Sequence, residues 1–366
     1  MSNSVMEFLY RTVAKPVLFR LDPEDVHDRV TWLGRVLGAT PVTRAVTHVL
    51  LAYEDPILAT TVAGIRFPNP VGLAAGFDKN ARLTGILPDV GFGFAELGSI
   101  TGQPCVGNPR PRLWRLKKSE SLVVYYGLKN DGADAISARL AGARFRIPIG
   151  ISAAKTNSPS TVDPDVAVAD YAHVLERFRG IGDYFTVNIS CPNAYGGEPF
   201  TDPSLLDRLL GQADALADKP IFLKLAVDLK HEQLESILAV CDRHRIAGFE
   251  CSNLTKNRTN HRIHDPVVPD VGGISGRAVQ HLADEQVRYL YRRTRGRYAI
   301  MGVGGIFSAE DAYRKIRLGA SLVQLITGMV FRGPQLIGQI NRGLAERLRA
   351  DGFASVAEAV GVDNAA

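Results

Sequence analysis

The chain has 366 residues, 46% of them apolar, which is enough for a full hydrophobic core and favours one large domain with an appendage. Its 43 basic and 38 acidic residues leave a net charge of only +5, spread along the sequence, which argues against a nucleic-acid surface and for a small anionic ligand. Cys105, Cys191, Cys241 and Cys251 stand far apart with no C-x-x-C pair, against a zinc site or a disulfide framework and for a reducing cytosol; no apolar run is long enough to span a bilayer, and the first residues lack the order of a signal peptide.

Residues 1–45 carry two amphipathic segments, with Phe8, Leu9, Val13, Val17 and Leu18 in the first and Val30, Leu33, Val36 and Leu37 in the second. That spacing predicts a helical hairpin. Asp22 is placed to cap a helix starting at Pro23, and Arg11, Lys15 and Arg20 give the first segment a basic side. Such a hairpin either lies on an anionic membrane surface or docks on the main domain, and the pattern leaves both open. The expected division is 1–52 for this unit and 53–366 for the rest, with a linker around Tyr53.

Beyond the linker, apolar runs at 71–75, 94–101, 147–154, 184–190, 220–226, 248–253, 298–304 and 321–327 alternate with helix-like stretches. The helical stretches include 165–177, 204–217, 232–243, 278–293 and 309–318. Eight strands alternating with helices predict an α/β fold of the (β/α)₈ TIM barrel type, with sites at the carboxyl ends of the strands. A doubly wound open sheet is the competing layout.

The strand ends are therefore the candidate site. The first offers Ala74, Ala75, Gly76 and, three residues on, Lys79; the second Gly98 and Ser99. The fourth ends in Asn188-Ile189-Ser190-Cys191-Pro192-Asn193, an ionisable thiol between two amides with a proline to stiffen the turn. Two amides flanking one proton acceptor suit a planar polar substrate, although a buried filler cysteine among turn-forming asparagines is the plainer reading of the motif alone. Lys224 sits inside an apolar strand, where it must find an anion or lose its charge. The sixth strand ends in Ser252 and Asn253, the seventh in Gly302-Val303-Gly304-Gly305, the eighth in Thr327 and Gly328. Glycines after the last two strands of such a barrel are where phosphate is held on backbone amides. The loop 255–270 carries Lys256, Arg258, His261, Arg262 and His264, either a solvated tract or an attractor for a substrate anion; a metal is not expected, since the two histidines lack a third ligand.

Taken together, Asn69-Pro70-Val71-Gly72-Leu73-Ala74-Ala75-Gly76-Phe77-Asp78-Lys79, the run 188–193, Gly272-Gly273-Ile274-Ser275-Gly276 and Gly302-Val303-Gly304-Gly305-Ile306 resemble the dihydroorotate dehydrogenases over nearly the whole chain. The hairpin, with Leu21-Asp22-Pro23-Glu24 and His27, is similar to that of the membrane-associated, quinone-reducing class, where it forms a tunnel mouth for quinone. The resemblance implies bound FMN and a cytoplasmic enzyme peripheral on the inner face of the cell membrane. Ala75, Gly76, Lys79, Ser99, Ser152, Asn188, Lys224 and Ser252 would hold the cofactor, with Lys224 near the polar edge of its ring. Gly276, Gly304, Gly305, Ile326, Thr327 and Gly328 would complete that set. Lys79, Asn188, Asn193 and Asn253 would bind substrate, and Cys191 would remove a proton from the carbon beside a carbonyl while hydride leaves its neighbour for flavin N5. This chain departs from the family pattern at Cys191, where the quinone-linked class has serine, and at Val124, Ser152, Leu254 and Ile326, where asparagine, asparagine, threonine and tyrosine are usual. Those changes motivate a second reading, a divergent flavoenzyme acting on another cyclic amide or enone with another electron acceptor.

Overall fold

Eight short strands rich in Val, Ile, Leu and Phe are buried on both faces, the pattern of parallel strands enclosed by helices. They are β1 (Val71–Leu73), β2 (Phe94–Ile100), β3 (Ile149–Ala153), β4 (Tyr184–Asn188), β5 (Ile221–Leu225), β6 (Ile246–Cys251), β7 (Ala299–Val303) and β8 (Leu322–Leu325). In the computed structural model, which describes residues 2–191 and 193–364, each pairs in parallel with the next, and β8 returns to β1 through Val323 and Val71. The barrel is closed, so the open sheet does not form. Pro192, expected to stiffen the turn beside Cys191, lies outside the described residues.

The outer helices fall where the periodicity puts them: Pro164–Arg177, Pro203–Leu216, His231–Cys241, Gln280–Thr294 and Ala309–Arg317. Their starts follow from caps. Asp163 accepts from the Asp165 amide, Asp202 from Ser204 and Leu205, and Ser308 from Asp311, two of the three ahead of a proline at the first helical position.

Inside the barrel the side chains lie in layers. At the amino end a hairpin, Thr60–Val62 with Ile65–Phe67, plugs the floor, and Phe67 meets Phe94 edge-on at 5.2 Å. Tyr184, Phe222, Met301 and Leu322 complete this layer. Gly72 and Gly150 make room for it, since a Cβ there would fall 2.3 Å from the Phe94 ring and 2.1 Å from that of Tyr184. The next layer is polar: Glu96, Thr186, Lys224, Glu250 and Gln324, all buried. Above it lies the mouth, partly roofed by an antiparallel sheet of Leu113–Leu116, Ser121–Val124 and Gly273–Gly276 that no strand pattern announced.

The amino-terminal unit has three helical rods where two were expected. Ser2–Leu9 runs through a wider turn at Tyr10–Ala14 into Lys15–Leu18; Pro23–Leu37 and Pro41–Leu51 follow. The last escapes the sequence pattern because β-branched Val42, Thr43, Val46, Thr47 and Val49 weaken a helical reading, whereas the Thr40 hydroxyl, accepting from the Thr43 amide at 3.2 Å, starts it. Asp22 caps Pro23–Leu37 as expected, accepting from Glu24 and Asp25 at 2.9 and 3.1 Å. One side of the unit docks on the barrel through buried Glu24, which holds Arg112 at 2.8 Å, Lys129 at 3.1 Å and Arg110 at 3.1 Å. The other side leaves Phe8, Val13, Trp32, Val42 and Val49 exposed. No helix among the described residues is long and apolar enough to cross a membrane.

Candidate active site

A cavity of about 480 Å³ runs from the carboxyl ends of the strands outward between the amino-terminal helices, where Tyr10, Leu18, Phe19, Val26, Val30 and Leu33 line it. Ala75, Gly76, Lys79, Ser99, Asn188, Cys191, Asn193, Lys224, Ser252 and Asn253 all face it, as do Gly276, Gly304, Gly305, Ile326, Thr327 and Gly328. Ser152 does not. It stands fully buried behind the wall and reaches the cavity only through Ser99, its hydroxyl 2.8 Å from that of Ser99, because β2 and β3 pair Gly98 with Ser152.

The three amides are braced rather than free. Asn188 Nδ2 donates to Ser99 Oγ at 2.8 Å while its Oδ1 accepts from the Ser190 amide at 3.0 Å. Asn253 Nδ2 donates to the Ser190 carbonyl at 2.9 Å, and Asn193 Nδ2 to the Val124 carbonyl at 2.9 Å. Each amide nitrogen carries two hydrogens, so Asn188 and Asn193 retain donor capacity toward a ligand, whereas Asn253 gives its second to Ser190 Oγ at 3.0 Å and is left with its Oδ1, which takes the Leu254 amide at 2.9 Å, as an acceptor.

Cys191 is half-buried, on a loop held from three sides. Asn108 Nδ2 donates to the Asn193 carbonyl at 3.3 Å, Asn157 Oδ1 accepts from the Tyr195 amide at 2.9 Å, and Lys155 Nζ donates to the Tyr195 carbonyl. Burial pushes the Cys191 thiol up to about 11; the Asn193 amide opposes that, Glu198 adds to it, and Lys155 and Lys256 pull it back. Lys155 is itself 4% exposed and among the described residues donates to carbonyls, those of Thr161 and Tyr195. Burial therefore lowers its pKa, against the pull of Cys191 and Asp170.

Across the cavity, Lys79 Nζ lies 4.1 Å from the centre of the Tyr126 ring and 3.4 Å from His27 Nε2. Burial lowers its pKa to about 8. His27 is held low by burial and by Lys79, and its Nε2 sits 2.8 Å from the Phe77 carbonyl. Lys224 finds the anion its sequence position demanded in Glu250, its neighbour in the β5–β6 register. Burial works against that ammonium, but Glu250 and Glu96 outweigh it and hold the group above its ordinary range.

On the far side Gly276, Gly304 and Gly305 have φ of +83°, +108° and +73°, a backbone that side chains resist, and the Thr327 hydroxyl is 2.8 Å from that of Ser275. Ser252 Oγ is buried with no partner among the described residues. The basic tract 255–270, by contrast, is not in the cavity wall: Arg258 is spent on the Val271 and Gly272 carbonyls at 2.8 and 2.6 Å, and Arg262 on Gln280 at 2.9 Å. Backbone carbonyls and the Gln280 side chain absorb its guanidinium groups, and Lys256 is the member whose charge reaches Cys191.

Lys155, Tyr126, Glu96 and Glu250 were not legible as site residues. Lys155 did carry a signal, since it directly follows an apolar strand run as a strand-end lysine, and Glu250 is an acid inside one, next to the strand of Lys224.

A closed parallel barrel whose mouth unites a thiol, braced amides and a glycine-lined cradle defines an enzyme built to hold a flat polar ligand at its strand ends. The family model described as Dihydroorotate dehydrogenase matches residues 57–348. The chain is similar to the dihydroorotate dehydrogenase (quinone) of Gloeobacter violaceus, 41% identical over 360 residues that cover 96% of this chain and 98% of that protein. It is likewise similar to that of Natronomonas pharaonis, 41% identical over 349 residues, 95% of this chain and 98% of that one. Crystal structures of DHODH from Eimeria tenella match with TM-scores of 0.85 ligand-free and 0.84 with ferulenol, each at 29% identity over 94% of this chain and covering 100% and 96% of theirs. The chain belongs to the dihydroorotate dehydrogenase family.

Proposed function

We propose that this protein oxidises dihydroorotate to orotate with FMN as cofactor and passes the electrons to a quinone. The observation that carries the reading is the single cavity in which Cys191, Asn188, Asn193 and Asn253, the glycine cradle and the apolar faces of the amino-terminal helices share one space. The residues present fit FMN: Ser252 Oγ, without a partner among the described residues, is free to meet a polar edge of the cofactor, Lys224 presents a fixed charge, and Gly276, Gly304 and Gly305 open the backbone to a phosphate. When bound, FMN supplies the acceptor for the hydride removed from the substrate. Cys191 takes the proton from the adjacent carbon, the three amides fix the ring in its plane, and Lys79 stands where it meets both substrate and cofactor.

Residues 1–52 form the acceptor-delivery unit and 53–366 the catalytic barrel. Thirteen of the large apolar residues exposed among those described lie within the first 51, against six in all the rest, so this face suits the interfacial region of a peripheral membrane surface. Phe8→Glu with Val13→Glu is expected to abolish co-sedimentation with anionic vesicles and to raise the KM for a long-chain quinone, leaving anaerobic reduction by dihydroorotate unchanged. Unaltered sedimentation would show that the face does not meet lipid.

The reading is tested by mixing the flavin-loaded protein with dihydroorotate without oxygen. Complete bleaching, reversed by a quinone, is expected; persistent colour overturns it. Val124 and Leu254 support the second reading, since they set an apolar wall beside Asn193 where Leu254 packs so closely on Gly273 that a Cβ there would fall 2.5 Å away. Under that reading another cyclic amide or enone, not dihydroorotate, changes the flavin spectrum.

A further inference from the structure

We propose that Glu96 and Glu250 share one proton across the barrel interior, leaving Lys224 balanced by a single negative charge at the floor of the cavity and thereby setting the redox potential of the bound flavin. The inference rests on the FMN reading above.

Glu96 projects from β2 and Glu250 from β6, on opposite sides of the barrel, and both are 0% exposed. Glu250 Oε1 pairs with Lys224 Nζ, which lines the cavity. Glu96 Oε2 accepts from Thr186 Oγ1 at 3.0 Å and from Gln324 Nε2 at 3.2 Å. The remaining oxygens, Glu96 Oε1 and Glu250 Oε2, have no donor among the described residues. The other titratable groups facing this layer bring no positive charge to it: the Tyr184 hydroxyl on β4 is kept neutral by burial, the Cys251 thiol on β6 is pushed up by burial, and Lys315, behind β7, is paired with Asp284. Two carboxylates and one ammonium therefore leave an excess negative charge sealed from water.

From opposite walls the two side chains reach inward until the Glu250 carboxyl is within hydrogen-bonding reach of that of Glu96. A buried unpaired charge is among the least tolerable features of a folded interior, and two carboxyl groups in contact escape it by keeping one proton between them. One carboxyl then donates to the other and both orphaned oxygens are satisfied. Burial and the neighbouring Glu96 push Glu250 well above the ordinary carboxyl range, in the direction this requires. Glu250 is thus a positioning residue, fixing the place and net charge of the Lys224 ammonium that the cofactor meets.

The charge count makes an unusual mutational pattern. In Glu96→Gln or Glu250→Gln the surviving carboxyl loses the shared proton and still balances Lys224, so the flavin potential of the holoprotein is expected to move by less than a tenfold change in the reduced-to-oxidised ratio. In the double variant Lys224 is unbalanced, and reduced flavin is expected to be favoured at least tenfold at fixed potential, about 30 mV for a two-electron couple. Comparable single shifts that add in the double, or a silent double, would overturn the proposal. A second measurement needs no flavin: the infrared difference between wild type and either single variant at neutral pH should show one carboxylic C=O band lost, and its absence would equally overturn the shared proton. Wild-type protein purified without a flavin band would defeat the FMN reading instead, leaving the infrared result to decide the proton on its own.

Discussion

Cys191→Ala is expected to slow reduction of the bound flavin by dihydroorotate by about 10²- to 10⁴-fold while leaving flavin binding intact, the usual range for removal of a positioned general base. The cradle of Gly276, Gly304, Gly305 and Thr327 is built from other strand ends, so the visible spectrum of the variant should match that of wild type. The half-reaction is measured by anaerobic stopped flow, and a variant that reduces at the wild-type rate would remove the thiol from the mechanism. With the thiol held at about 11, little thiolate exists at neutral pH, and the rate should climb with pH as the base is exposed by deprotonation. The brace around it explains why so basic a thiol still serves: Lys155 and Lys256 supply positive charge, and the loop holding Asn193 and Tyr195 is pinned by Asn108, Asn157 and Lys155, so the sulfur is already aimed.

Glu24→Ala is expected to be the most damaging single change outside the mouth. Its carboxylate is 2% exposed and meets Arg112, itself 7% exposed, in two hydrogen bonds of 2.8 and 2.9 Å. Removing one partner of such a pair strands the other charge, and the loss of stability should be about 3 to 5 kcal/mol. Because the pair joins the amino-terminal helices to the barrel, the damage should show as protease cleavage before residue 53 at concentrations that spare wild type. Burial alone would raise this carboxyl, but hydrogen bonds from Arg112 and Lys129 outweigh it and bring the pKa from 4.5 down to about 2. A group depressed in the folded state stabilises above its unfolded pKa and loses that contribution as pH falls through the folded one. Docking should therefore weaken in wild type between about pH 4.5 and 2, and the variant should lack that acid limb. Equal protease resistance of the two proteins would show that the clamp is dispensable.

The barrel was legible because each strand is a short β-rich run ended by a turn residue, and because the intervening helices keep a regular apolar face. The fourth strand delivers Asn188 at its end and Cys191 just beyond, as its abrupt stop at Ser190-Cys191-Pro192 implies. The sheet over the mouth was not legible: Leu113–Leu116, Ser121–Val124 and Gly273–Gly276 are short, and the last pairs with a segment far away in sequence, so local pattern carries no trace of it. The same limit hid the partner of Lys224. A lysine in an apolar strand announces that a counter-charge exists, but only the β5–β6 register shows that Glu250 is beside it. Likewise the sequence leaves the basic loop 255–270 open between a solvated tract and an anion attractor, because only the folded backbone brings the Val271 and Gly272 carbonyls onto Arg258.

The most direct test of the thiol's role is the pH dependence of flavin reduction by dihydroorotate in wild type beside Cys191→Ser, both fully loaded with flavin. Wild type should accelerate with rising pH toward the thiol's own titration near 11, whereas the serine variant, whose hydroxyl ionises far higher, should be slower throughout and lack that limb. Superimposable profiles would mean that another group takes the proton.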